Sequence, residues 1–180
     1  MHSFSSPGII LKRRNFGEAD RIVTIYTQKF GKLTVMAKGA RKTASKKKGG
    51  LEAGTHSTCY FIQGKGMPLI TQTQIIDSFP ENQSSLVAMT QVLQILEIVD
   101  KLTVEESPNE AVFNSLLHSL HLISRPGFVK AELIGNIRTI LTVLGFGPPA
   151  NFNENDLKAY IEDLSNTTLK SKEFLTTASQ

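Results

Sequence analysis

From residue 8 to about 76 the chain is built of short β-branched runs separated by glycine-containing turns, the pattern of a small antiparallel barrel or sandwich. Gly8 to Arg13 reads as a first strand. In Arg21 to Thr27, Ile22, Thr24 and Tyr26 fall on one face and Val23 and Ile25 on the other, a period of two. Leu33 to Ala37 alternates again after the turn at Lys29-Phe30-Gly31-Lys32, so the two segments form a hairpin. Further strands are predicted near Thr55 to Ile62 and Met67 to Ile76. Gln63-Gly64-Lys65-Gly66 joins them, with glycines placed for the positive φ of a tight turn. Five strands is the number in an OB-fold.

After Pro80 the period changes. Leu86, Met89, Leu93 and Leu96 recur at spacings of three and four, with Val92, Ile95 and Val99 widening the stripe into a largely buried helix. Ser107-Pro108-Asn109-Glu110 has the residues of a helix start: a Ser N-cap, Pro in the first turn and a Glu to close a capping box. The helix that follows carries Phe113, Leu117, Leu120 and Ile123 inward. A third runs from Gly127 to Leu144, with Gly145, Pro148 and Pro149 as its stop, and a fourth from Asn153 to Leu164. The Ser-, Thr- and Lys-rich tail from Ser165 to Gln180 has little to bury and is expected to be loosely held. The fold class is therefore α+β: an N-terminal five-stranded OB-fold barrel over residues 1–80, then an all-α helical domain over 81–180.

Composition changes this picture where charge is concerned. The 180 residues carry a net charge of +4, which conceals two opposed parts. Residues 1–50 hold twelve Lys and Arg against Glu18 and Asp20, net +10, and the remaining 130 are net −6. Clustered positive charge attracts polyanions and speeds their association, which points to nucleic acid or an anionic membrane as the partner of the basic part. The density peaks between Lys38 and Gly50, where Lys38, Arg41, Lys42, Lys46, Lys47 and Lys48 form a basic loop. Arg13, Arg14, Arg21 and Lys32 extend it.

Other classes find little support. One cysteine, Cys59, makes neither an intramolecular disulfide nor a thiolate zinc cage, and a reducing cytoplasm fits best. No uncharged apolar run approaches the roughly 18 residues of a membrane span. Neither a phosphate-binding glycine loop nor a nucleophile with its base is visible. His118 and His121 share a helix without a third ligand, and acidic pairs such as Glu105-Glu106 and Glu162-Asp163 lie near helix ends, where solvated charge is ordinary. The chain reads as a binding protein and not an enzyme, with no cofactor or metal. On a barrel, exposed aromatics stack bases for about 1–3 kcal/mol each; Phe16, Tyr26, Phe30, Tyr60 and Phe61 are the candidates, with core filling as the competing use of each.

Three stretches resemble the RecO recombination mediators of bacteria: Gly8-Ile9-Ile10-Leu11 leading to Gly17-Glu18-Ala19-Asp20-Arg21-Ile22-Val23; Tyr26-Thr27 with Phe30-Gly31-Lys32-Leu33; and Ala37-Lys38-Gly39-Ala40-Arg41-Lys42 followed by Ser45. The similarity continues more weakly to Leu144-Gly145-Phe146-Gly147-Pro148, and so covers roughly residues 8–150. The resemblance implies an OB-fold followed by a helical domain, binding of single- and double-stranded DNA, and annealing of complementary strands. It also implies work with RecR, loading of the RecA recombinase, and docking of the C-terminal tail of single-stranded-DNA-binding protein on the helical domain. Its DNA-contacting positions fall on Lys38, Arg41 and Lys42. The chain departs from the family in carrying no cysteine after Cys59, where many members place a zinc module, and in being shorter than is common there. DNA binding is thus implied more directly than RecR binding. The location implied is the bacterial cytoplasm, at the nucleoid.

Two other functions share the same basic half: an RNA- or ribosome-associated OB-fold protein, which would prefer structured RNA, and an adaptor whose basic loop receives an acidic peptide.

Overall fold

The computed structural model of the chain describes residues 2–42, 45, 49–83, 85–147, 154–166 and 169. The basic residues Lys46, Lys47 and Lys48, the helix-stop prolines Pro148 and Pro149, and all but three residues of the tail lie outside them. Two compact units form: Met1–Ser78 with Val104–Glu110, and Phe79–Thr103 with Ala111–Gln180.

The first unit is a closed five-stranded barrel of β1 (His2–Phe16), β2 (Asp20–Thr27), β3 (Gly31–Ala37), β4 (His56–Gln63) and β5 (Leu69–Asp77) in the order β1-β2-β3-β5-β4. This is the OB-fold expected from the strand count. β1 is long because it serves two partners, pairing His2 to Ile9 with β4 and Gly8 to Phe16 with β2. A register irregularity between Ile10 and Lys12 bends it from one to the other. The alternation in β2 and β3 places Val23, Ile25, Leu33, Val35 and Ala37 in the barrel core with Ile10, Cys59, Phe61 and Ile70. Closure through β3 and β5 rests on one parallel pair, Met36 with Leu69.

That single pair leaves the first half of β3 with an open side, and the segment Val104–Glu110 covers it. The Glu106 amide donates to the Lys32 carbonyl (2.9 Å), and the Glu105 carboxylate accepts from the Thr34 amide (3.0 Å) and hydroxyl (2.6 Å). Gly31, at φ +67°, makes the close approach possible: a Cβ there would stand 2.4 Å from the Ser107 carbonyl carbon and oxygen. The capping box expected at Ser107 does not form. The helix begins at Glu110, because Glu105 and Glu106 are held to β3 and the backbone turns at Glu106, with φ +57°, before the helix starts. The turn expected to use positive φ at Gly64 and Gly66 does not use it either. The Gln63 side-chain amide instead donates to the Gly64 and Gly66 carbonyls (3.3 and 3.2 Å).

The second unit contains α1 (Leu86–Leu102), α2 (Glu110–Ser124, from Ala111 onward), α3 (Lys130–Val143) and α4 (Glu154–Ser165). Ser85 caps α1, its hydroxyl accepting from the Ala88 amide (3.1 Å). α3 ends in a Schellman turn: the Gly145 amide donates to Thr142 (3.0 Å) and the Phe146 amide to Leu141 (2.8 Å), with Gly145 at φ +84° as its sequence position demands. Asn82 is buried, donating to the Leu120 carbonyl (3.1 Å) and accepting from the Ser124 hydroxyl (3.0 Å). Asn136 ties α3 to α2 through the Ser115 carbonyl (2.5 Å) and the Ser119 hydroxyl (2.6 Å). One expectation is corrected in α1. Leu86, Met89 and Leu93 are exposed, and the buried arc is Ala88, Val92, Ile95, Leu96, Val99 and Leu102, together with Gln91 and Gln94. Apolar residues occupy more than one face of this helix, so spacing alone could not choose which face turns inward.

Candidate nucleic-acid interface

The basic turn that follows β3 is held to the β1–β2 turn by residues of both. The Asp20 carboxylate accepts from the Gly39 amide (2.8 Å), and the Ala19 carbonyl accepts from the Arg41 amide (2.9 Å). The Arg41 guanidinium donates to the Gly17 carbonyl (3.1 Å). Two of the sequence stretches singled out above, Gly17 to Val23 and Ala37 to Lys42, are therefore the two halves of one latch. With Ala40 fully buried beneath it, the latch fixes the turn while Lys38, Arg41 and Lys42 stay exposed at the end of the barrel. The third stretch serves the opposite end of β2, where the Thr27 hydroxyl donates to the Gly31 carbonyl (2.9 Å) and accepts from the Phe30 amide (3.1 Å).

The other expected basic residues divide. Arg13 and Arg21 converge on one carboxylate: Arg13 donates to Glu52 Oε2 from Nε (2.9 Å) and a terminal nitrogen (2.6 Å), and Arg21 reaches Oε1 at 3.3 Å. Arg21 is 8 % exposed and Glu52 offsets part of the charge of the pair, so both are structural at least in part. This partner lies 39 and 31 positions away in sequence, and no local pattern signals it. Arg14 is exposed on β1, and Lys32 is half-buried beside the Glu105 segment. Lys46, Lys47 and Lys48 fall outside the described residues.

The aromatic candidates divide as well. Tyr26 and Phe61 are core residues, and burial raises the Tyr26 phenol above its usual pKa. Phe16 and Tyr60 are exposed, and Phe30 is half-buried. Sequence analysis missed the part played by Phe4. Its ring stacks on Phe61 (centroids 5.0 Å apart), meets Phe30 edge-on (4.9 Å) and continues to His2 (6.3 Å). The rings of His2, Phe4 and Phe30 border a cavity of about 440 Å³, for which the alternation of Phe4 with Ser3 and Ser5 was the available sign.

Among the described residues no cluster of three His, Cys, Asp or Glu side chains could hold a metal ion, and no helix is long and apolar enough to cross a membrane.

Comparison with known proteins identifies the family. Residues 1–79 match the family model for the N-terminal part of recombination protein O, and residues 83–153 match the model for its C-terminal part. The chain belongs to the RecO family. A protein of Shouchella clausii named DNA repair protein RecO is 38 % identical over 129 residues, covering 72 % of this chain and 50 % of its own length. One of the same name from Acetivibrio thermocellus is 31 % identical over 154 residues, covering 82 % of this chain and 59 % of its own. A third, from Heliobacterium modesticaldum, is 34 % identical over 149 residues, covering 82 % and 54 %. The chain thus spans between about half and three fifths of the length of these curated RecO relatives. The boundary between the two RecO models falls at residues 80–82, whereas the barrel unit also takes in Val104–Glu110 from within the C-terminal match.

Proposed function

We propose that this RecO-family chain is a DNA repair and recombination mediator that binds single- and double-stranded DNA and promotes annealing of complementary strands without breaking a bond. The observation that carries the reading is the latch, which holds exposed Lys38, Arg41 and Lys42 on a fixed turn at the end of an OB-fold. Cations fixed in this way release counterions from phosphates, which gives affinity without sequence choice. Two strands held on one basic surface repel each other less and meet at high local concentration, which favours pairing. Lys46 to Lys48, Arg14 and Lys32 would extend the phosphate path, with Arg13 and Arg21 contributing less because Glu52 engages them. The relatives' name, together with the family, supports a place in recombinational repair. On this reading RecR, the tail of single-stranded-DNA-binding protein and RecA are the partners, met in the bacterial cytoplasm.

The test is fluorescence anisotropy of a labelled single strand across a salt series, with annealing of its complement followed in the same samples. The expected result is salt-sensitive binding and faster annealing. Replacing Lys38, Arg41 and Lys42 together by Ala should weaken binding for every sequence and flatten the slope of log affinity against log salt by about 0.7 per lost contact. Absence of binding at low salt would overturn the proposal.

A further inference from the structure

The cavity on the barrel unit lies apart from the latch and differs from it in character. Its walls are aromatic and apolar: Phe4 and Phe30, both half-buried, the exposed His2, the buried Leu33, and Pro108 of the covering segment. Phe61, Phe4 and His2 form a near-parallel series, at 24° and then 16° between planes, that starts in the core and stops at the surface. A series of rings that ends at solvent offers a π-face to a further flat group. Lys29 and Glu106 stand on the cavity's border, one a cation and the other an acceptor. One edge of the cavity approaches the basic turn, whereas Lys29 and Phe30 lie at the opposite end of β3. Pro68, another lining residue, accepts a backbone hydrogen bond from Met36 (2.9 Å), and Met36 is two residues before Lys38.

We infer that this cavity receives a nucleobase of the single strand whose backbone lies on the basic turn, an inference that rests on the DNA-binding reading above. A base has the required shape, being flat, aromatic and polar only at its edge. Its face would stack against His2, Phe30 would meet it edge-on as it meets Phe4, an edge N–H would meet the Glu106 carboxylate, and its phosphate would stay outside beside Lys29. The cavity volume of about 440 Å³ is ample for one base with its sugar. The acidic Glu106 disfavours a phosphate inside, so the cavity selects for the base end of the nucleotide. An aromatic side chain from a protein partner is the competing occupant. It would stack equally well but would make no use of the nearby basic turn.

The experiment compares two labelled single strands of equal length and charge, about 16 nucleotides long, one bearing thymines and the other abasic throughout. Stacking of a single base corresponds to at least about a fivefold preference for the thymine strand. Phe30→Leu, which keeps an apolar packing group, and His2→Ala, at an exposed position, should each reduce that preference. Phe30→Trp should retain it. Lys38→Ala should weaken both strands alike. Equal binding of the two strands by the unaltered protein, or a preference unchanged in both Phe30→Leu and His2→Ala, would overturn the cavity proposal and leave the DNA-binding reading intact. Failure of both strands to bind at low salt would overturn both.

Discussion

The barrel unit and the helical unit use their polar residues differently. In the barrel, polar groups far apart in sequence meet at turns and at one strand edge: Asp20 with Gly39, Arg41 with Gly17, and Thr34 with Glu105. In the helical unit the buried Asn82 and the half-buried Asn136 both bond across to α2, within a largely apolar packing. The barrel's hydrogen bonds therefore shape its exposed surface, whereas those of the helical unit fix its interior. Single substitutions should separate these two arrangements.

The largest effect is expected where the barrel meets its covering segment. Gly31→Ala adds left-handed strain of about 1–2 kcal/mol and forces the Ser107 backbone away. A total loss of about 4 kcal/mol, of the size reserved for severe backbone conflict, should appear in urea unfolding. Leu116→Ala, at a fully buried position of α2, should cost about 3 kcal/mol and lower the unfolding midpoint through the helical unit. Asp20→Ala removes the acceptor for the Gly39 amide; about 1.5 kcal/mol should be lost, with weaker DNA binding as the turn loosens.

Cys59 gives a pH-dependent test of the barrel core. Burial pushes its thiol from 9.0 up to about 12. Below pH 9 both folded and unfolded chains keep the proton, and stability does not depend on this group. As the pH rises from 9 towards 12 the unfolded chain ionises first, so stability falls by about 1.4 kcal/mol per unit at most. Cys59→Ala should lose less stability over the same window when unfolding is measured at successive pH values. The smallest effect belongs to Leu93→Ala, on the exposed face of α1, which should stay within about 0.5 kcal/mol. A loss near that of Leu116→Ala would show that this face is covered in solution.

The strands were legible because alternation is local: Val23 and Ile25 identify their face within one strand. The basic turn was legible as a run of Lys and Arg, and its resemblance to a family pointed to its use. What could not be read depends on partners distant in sequence. Nothing near Arg13 or Arg21 announces Glu52, and nothing near Ser107 announces that pairing with β3 will override a capping signal. In α1, surplus apolar residues concealed which face is buried. Phe4 was overlooked because its significance lies in Phe30 and Phe61, which reach it only through the closure of the barrel.

The return of Val104–Glu110 to the barrel has a consequence for how the chain comes off the ribosome. Synthesis proceeds from the N-terminus, and domains generally fold as they emerge, but here the five strands are complete well before the residues that cover β3 have been made. Until α1 and the segment after it have emerged, the nascent barrel exposes an unpaired strand edge of the kind that recruits other chains. Slowing translation within α1 would prolong that interval, and a chaperone that shields strand edges would matter most there.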